Sequence, residues 1–246
     1  MACTSVPDER MTSYVDFPET RELTSRTLTL DSALFRYPYR VRVQDDKAVV
    51  FDLHGTEYFF HAFHYPGFHY LSSFGKRGDA PEEMLSAENL RWNGNFLWTL
   101  DSNKSELTRL GFASSGDSLL RLETVSLDEE QLRALDFVQY DDSTFIIPDY
   151  SGDGRFCLVS RQGRLLRKIG TIPTTNEDAL KNARPALAQA WRSFIDYNPR
   201  NGVLAAVTQL GEVLEIYNLK DSTHIVRIGP NGEPEFQISQ GYGIPT

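Results

Sequence analysis

The sequence predicts an all-β fold, a β-propeller of four-stranded antiparallel blades, and three observations lead there. A polar turn followed by an apolar strand recurs at Asp45-Asp46-Lys47, Asn93-Gly94, Asp141-Asp142-Ser143 and Pro199-Arg200-Asn201-Gly202. Measured from Asp46, Gly94, Asp142 and Asn201, the steps are 48, 48 and 59 residues. An apolar residue closing the last strand of each unit recurs with nearly the same steps, 48, 47 and 59, at Phe74, Leu122, Ile169 and Ile228. A period of about 40 to 50 residues, wide enough for four short strands, marks propeller blades or solenoid units.

Each element follows from local pattern. The strands after the turns, Ala48-Val49-Val50-Phe51, Phe96-Leu97-Trp98, Thr144-Phe145-Ile146-Ile147 and Val203-Leu204-Ala205-Ala206-Val207, are short, β-branched or aromatic, as buried strands are. The first unit offers strands over 39–43, 48–52, 57–63 and 69–74, the second over 89–92, 95–100, 106–112 and 119–125, and the fourth over 193–197, 203–208, 213–218 and 224–229. The extra residues of the long interval lie between Ile172 and Trp191. There Thr175-Asn176-Glu177-Asp178 reads as a helix start, and Leu180, Leu187 and Trp191 form a helical stripe that Pro185 must interrupt or restart, giving a small helical insertion around 175–191 on one rim. Asp79-Ala80-Pro81-Glu82 and Ser126-Leu127-Asp128-Glu129 each place a capping residue three positions before a Glu and predict short helical turns between blades.

The resulting organisation is an N-terminal tether over 1–21 and a propeller over 22–246, with blades at about 38–84, 85–135, 136–191 and 192–236. Glu22 to Leu30 is an additional strand candidate, and 237–246 reads as the start of a further blade.

Phe74-Gly75-Lys76-Arg77-Gly78-Asp79-Ala80-Pro81-Glu82-Glu83 and its echo Ile228-Gly229-Pro230-Asn231-Gly232-Glu233-Pro234-Glu235 resemble the glycine, glycine, proline, glutamate loop between blades of bacterial TolB-like six-bladed propellers. The resemblance covers roughly residues 22 to 246. It implies an exported or lipid-anchored protein of a class whose functions are mostly unassigned. Four visible repeats fall short of six, so the expectation is an incomplete six-bladed ring, with open sheet edges through which copies could self-associate.

Composition narrows the function. With 25 basic and 34 acidic residues the net charge is −9, which repels a phosphate backbone and excludes general nucleic-acid binding. No stretch approaches the roughly 18 apolar residues of a membrane span, and the first ten residues lack the apolar core of a secretory signal. Ala2-Cys3-Thr4-Ser5, however, looks like the junction at which a bacterial lipoprotein signal is cut. If the sequence begins just before such a cut, Cys3 is a lipid anchor and the protein belongs to the periplasm or outer membrane; otherwise Cys3 is incidental and the protein cytoplasmic.

Two constellations could carry chemistry. Asp52, Asp101 and Asp149 close the second strand of successive blades at steps of 49 and 48, with Thr208 at the fourth position. Equivalent positions in a propeller converge around the axis, so these carboxylates could hold a divalent cation; alternatively each caps its own loop. His54, His61, His64 and His69 cluster, with His64 facing His69 across the turn Tyr65-Pro66-Gly67-Phe68; lacking a third ligand, they read as surface histidines of an aromatic hairpin. Asp149-Tyr150-Ser151-Gly152-Asp153-Gly154 imitates a calcium loop but has Ser160 where a bidentate Glu is needed. Arg77-Gly78-Asp79 matches an adhesion tripeptide but lies within the repeated loop, and Cys157 reads as a small buried hydrophobe. No catalytic or cofactor motif is present. The expectation is a non-enzymatic, envelope-associated platform for a protein, peptide or glycan ligand; the alternative is a metal-dependent hydrolase of the lactonase type.

Overall fold

The computed structural model describes residues 11–13, 19–30, 35–131, 133–239 and 242–244. It is an all-β propeller of four-stranded antiparallel sheets with a small helical insertion. After β1 (Met11–Ser13), the first blade comprises β2 (Pro38–Gln44), β3 (Lys47–Asp52), β4 (Tyr58–His64) and β5 (His69–Lys76). The second holds β6 (Ala87–Asn93), β7 (Phe96–Asp101), β8 (Glu106–Phe112) and β9 (Leu119–Ser126). The third holds β10 (Val138–Asp141), β11 (Thr144–Pro148), β12 (Phe156–Ser160) and β13 (Leu165–Ile169). Helices α1 (Glu177–Asn182) and α2 (Arg184–Ala190) precede the fourth blade, β14 (Ser193–Asn198), β15 (Val203–Thr208), β16 (Val213–Asn218) and β17 (Thr223–Ile228). A short antiparallel pair, β18 (Gln237–Ser239) and β19 (Tyr242–Ile244), follows where the sequence reads as the start of a further blade.

The chain divides into two compact units. One contains Leu23–Phe137 with Ser160–Arg164, and so the first two blades. Its core is aromatic: Phe60 stands 5.2 Å from both Phe51 and Phe74, and the group packs with Val49, Ala62, Leu90 and Leu97. The opposite face of the first blade carries Ala48, Val50 and Phe63 and is covered by Leu30, Phe35 and Phe68. That covering accounts for the segment 22–30, which forms no strand: its residues are exposed until Leu30, and only that side chain reaches the sheet.

The other unit contains Met1–Glu22, Val138–Val159 and Leu165–Thr246. Its N-terminal strand lies earlier than expected, β1 pairing in parallel with β17 from Met11 against Val226 to Ser13 against Ile228. Leu204, Ala206 and Ile195 of the fourth blade pack on Val138, Ile146 and Phe156 of the third. The insertion starts as its sequence dictates, with Asn176 accepting from the Ala179 amide at 2.9 Å. Pro185 restarts the helix rather than kinking it, because its missing N–H costs nothing in a first turn. Leu187 and Trp191 are thereby buried against Val213 and Val226. The capping patterns at Asp79 and Ser126 form turns and not helices. In the first of them the carboxylate reaching back is that of Glu83, which accepts from the Ala80 amide and from Lys76.

The third and fourth blades share a buried ion pair. Arg155 Nε donates to Glu215 Oε1 at 2.8 Å, Tyr217 donates to Oε2 at 2.7 Å, and Arg155 also donates to Ser193. Burial opposes charge on both partners, yet their attraction outweighs it, holding Glu215 below the usual carboxylate range and raising Arg155. Cys3 lies outside the described residues. Among the described residues no helix is long and apolar enough to cross a membrane.

Candidate functional site

The expected carboxylate positions are each occupied by backbone. Asp52, fully buried at the end of β3, accepts from the amides of Arg36 at 2.9 Å and Tyr37 at 2.7 Å. Asp101 accepts from four amides, Leu85 at 2.6 Å, Ser86 at 3.2 Å, and Asn103 and Lys104 at 3.0 Å each. Asp149 accepts from Ser151 and Gly154, both at 2.9 Å. Thr208 fills the same role in the fourth blade, its hydroxyl accepting from the Val213 amide at 3.1 Å.

The loop that imitates a calcium site already holds a cation. The Lys168 ammonium lies 3.1 Å from Asp149 Oδ2, 3.3 Å from Asp153 Oδ2 and 2.6 Å from Ser151 Oγ. Burial works against this charge, but hydrogen bonding to Asp149 raises the Lys168 pKa. Cys157 is buried in β12 with a free thiol, and desolvation, followed by the charge of Asp149, pushes its pKa up to about 12. Such a thiol is inert as a nucleophile.

The histidine hairpin is paired as expected, with His64 directly opposite His69, but His61 departs from the expectation. It is only 8% exposed, because Phe35 packs edge-on against its ring at 5.2 Å. Desolvation lowers its pKa, partly offset by the charge of Asp52. His61 Nδ1 shares a 2.8 Å hydrogen bond with Ser73 Oγ, which in turn shares one of 2.8 Å with the Tyr70 hydroxyl. A register shift between Ala62 and Phe63 makes this possible, since it sets Ser73 opposite His61 while Tyr70 stays opposite Phe63. Residues three apart on β5 thus share a face.

These groups floor a cleft of about 510 Å³ within the first unit, lined also by Asp52, Thr56, Glu57 and Tyr58. Its wall is the loop between β3 and β4. Gly55 is required there, because a Cβ would meet the Tyr58 carbonyl oxygen at 2.0 Å. Arg77 pins that loop, donating to the Gly55 carbonyl at 2.9 Å with its guanidinium 4.2 Å above the Phe59 ring. The adhesion-like tripeptide is therefore structural at its arginine, and at Gly78 too, where a Cβ would collide with the Glu83 carboxylate. Among the described residues, no group of three or more His, Cys, Asp and Glu is arranged to hold a metal.

The family model of TolB-like six-bladed propeller-like proteins matches residues 16–244. The chain belongs to this TolB-like propeller family. No curated protein matches it. A solved Bacteroides fragilis protein predicted to be exported is similar at a TM-score of 0.54 and 10% identity, over 88% of this chain and 79% of that one. A member of the DUF4221 family from Bacteroides vulgatus is similar at 0.51 and 11% identity, covering 89% and 65%. The β-propeller domain of Cps50 (Swd1) from Myceliophteria thermophila is similar at 0.51 and 14% identity, covering 85% and 61%. The chain thus spans less than two thirds of the last two, and at these identities the likeness concerns the fold alone.

Proposed function

We propose that this TolB-like propeller is a non-enzymatic binding platform, and that the cleft of the first blade takes its ligand. The observation that carries this reading is how the polar groups are spent. A lactonase-type hydrolase would need Asp52, Asp101 and Asp149 to grip a metal, yet each accepts from two or more donors of its own loops, and Lys168 supplies the cation at Asp149. The first-blade cleft instead combines a floor ordered by hydrogen bonds with a rim of exposed Thr56, Glu57 and Tyr70, a concave surface with a few convergent polar groups. The ligand class is a protein loop, peptide or glycan. The platform is envelope-tethered where Cys3 carries a lipid.

Metal analysis of purified protein, paired with thermal melts in calcium, zinc or chelator, tests the reading, since a ligand bound to the native state raises apparent stability by mass action. The platform predicts no stoichiometric metal and an unshifted melt. A retained metal with a chelator-sensitive melt would overturn it in favour of the hydrolase.

A further inference from the structure

We infer that the first-blade cleft recognises a saccharide that is neutral or carries an amino group; this rests on the reading of that cleft as the ligand site. Charge excludes one broad class first. Among the described residues no Lys or Arg lines the cleft, whereas Asp52 and Glu57 do, and the whole protein carries −9. Phosphorylated, sulfated or carboxylated ligands would enter an acidic site whose neighbouring cation, Arg77, is turned to the backbone carbonyls of Gly55 and Leu53 in the wall.

The hydroxyl chain selects among what remains. Tyr70, Ser73 and His61 form a continuous relay, and neutral His61 can hold its proton on either ring nitrogen. With Nδ1 accepting, Ser73 donates to His61 and Tyr70 donates to Ser73, so the outermost oxygen is left as an acceptor. With Nδ1 donating, every bond reverses and the Tyr70 hydroxyl points a donor outward. The relay therefore meets a group that can either donate or accept, which is what a sugar hydroxyl offers. Thr56 adds a second hydroxyl of the same dual character, and Glu57 an acceptor for hydroxyl or ammonium protons.

Shape and rigidity agree with this ligand. The half-exposed Tyr70 ring supplies aromatic surface suited to the C–H face of a pyranose. The volume of about 510 Å³ lies within the range of roughly 300–1,000 Å³ typical of small-ligand sites. The wall is held before any ligand arrives, by Gly55 in its tight turn and Arg77 on the Gly55 carbonyl, so little ordering entropy remains to be lost. An extended peptide would instead pair its main chain with the outer edge of β5, whereas the relay lies on the sheet face.

The test is saturation-transfer NMR with maltose, cellobiose, chitobiose and the glucosamine disaccharide, each at about 5 mM, several times the ~1 mM dissociation constant of weak binding. A carboxylated hyaluronan tetrasaccharide is the anionic comparison. Transfer to at least one neutral or amino probe and none to hyaluronan is expected. Tyr70→Phe and Ser73→Ala, with melts showing the fold retained, should each weaken titrated affinity about tenfold, the scale of one lost hydrogen bond. Silence from every saccharide, or affinity unchanged in both variants, overturns the inference. A pool of random peptides, read through Tyr70 resonances, separates the two levels: peptides binding where sugars do not would remove the saccharide class and leave the platform, and silence from both would remove both.

Discussion

Asp101 offers a direct test of whether the repeated carboxylates are structural. Asp101→Ala removes one acceptor group from four backbone amides, two leading into β6 and two in the loop after β7. An unsatisfied buried amide costs about 1–3 kcal/mol. Asn103 is exposed and Leu85 is 41% exposed, so water recovers part of the loss there. The remaining cost is about 3 kcal/mol. Asp101→Asn is the sharper variant. Oδ1 accepts from Ser86, Asn103 and Lys104, and an amide oxygen in its place keeps all three; Oδ2 serves only Leu85, which would then face an NH₂ group. That variant should lose about 1–2 kcal/mol. Near this chain length each kcal/mol moves the melting temperature by about 2–4 °C, so the alanine variant should fall by about 6–12 °C and the asparagine variant by about half as much. Calorimetry and urea midpoints, with and without chelator, measure this. Losses within about 0.5 kcal/mol for the alanine variant, or a wild-type loss of similar size on adding chelator, would refute the loop-cap account.

Arg155→Met leaves the Glu215 carboxylate buried without its cation and should cost about 3–5 kcal/mol, much of it recovered in Arg155→Met/Glu215→Leu; urea midpoints that show no recovery would count against the pair being dispensable as a unit. His61 has its pKa lowered by folding, so the unfolded chain takes up the proton first. Its contribution is complete above the unfolded value of about 6.5 and is lost as pH falls towards the folded value, with a slope of up to about 1.4 kcal/mol per pH unit. His61→Gln should flatten the stability profile there, and superimposable profiles would refute this. Lys168→Ala vacates the space between Asp149, Ser151 and Asp153, so terbium luminescence should report a new calcium-type site of about millimolar affinity, absent from wild type; binding by wild type would contradict the internal ammonium.

The repeat was legible because a polar turn precedes a buried apolar strand in every blade; the second landmark holds less well, since Leu122 stands mid-strand in β9 and is 47% exposed, and Val125 is the buried residue near that strand's end. Strand centres therefore followed from Ala48–Phe51 or Val203–Val207 without knowledge of contacts. The helical insertion was legible for a similar reason, since Asn176 and Pro185 act within one turn of their own position. The first-blade cleft was not. The facing of His64 and His69 follows from the turn, but an unbroken register continued from that pair sets His61 against Ser72. Only the irregularity between Ala62 and Phe63 brings Ser73 and Tyr70 to the same face. A bulge depends on packing on both sides of a sheet and has no residue signature in β4 or β5. The burial of His61 was hidden for a related reason, because Phe35 reaches it from outside the blade repeat.

The three aspartates show why periodicity alone misleads about function. A repeat architecture imposes the same loop on every blade, and that loop presents inward-turned amides that need an acceptor. Any residue supplying the acceptor will recur with the blade period, and if it is charged it will look like a ring of ligands. The fourth blade separates the two explanations. A loop cap needs only a lone pair, and Thr208 provides one without charge, still accepting from the Val213 amide as the aspartates accept from theirs. Chemistry at this position is therefore repeated because the backbone is repeated. The first-blade cleft divides the same way: its bulge recurs between Arg109 and Leu110 in the second blade and between Leu158 and Val159 in the third, and so belongs to the blade, whereas its Arg77-pinned wall and its His61 relay are built from residues particular to the first blade, and what one blade carries beyond the repeat is not demanded by the folding of a blade.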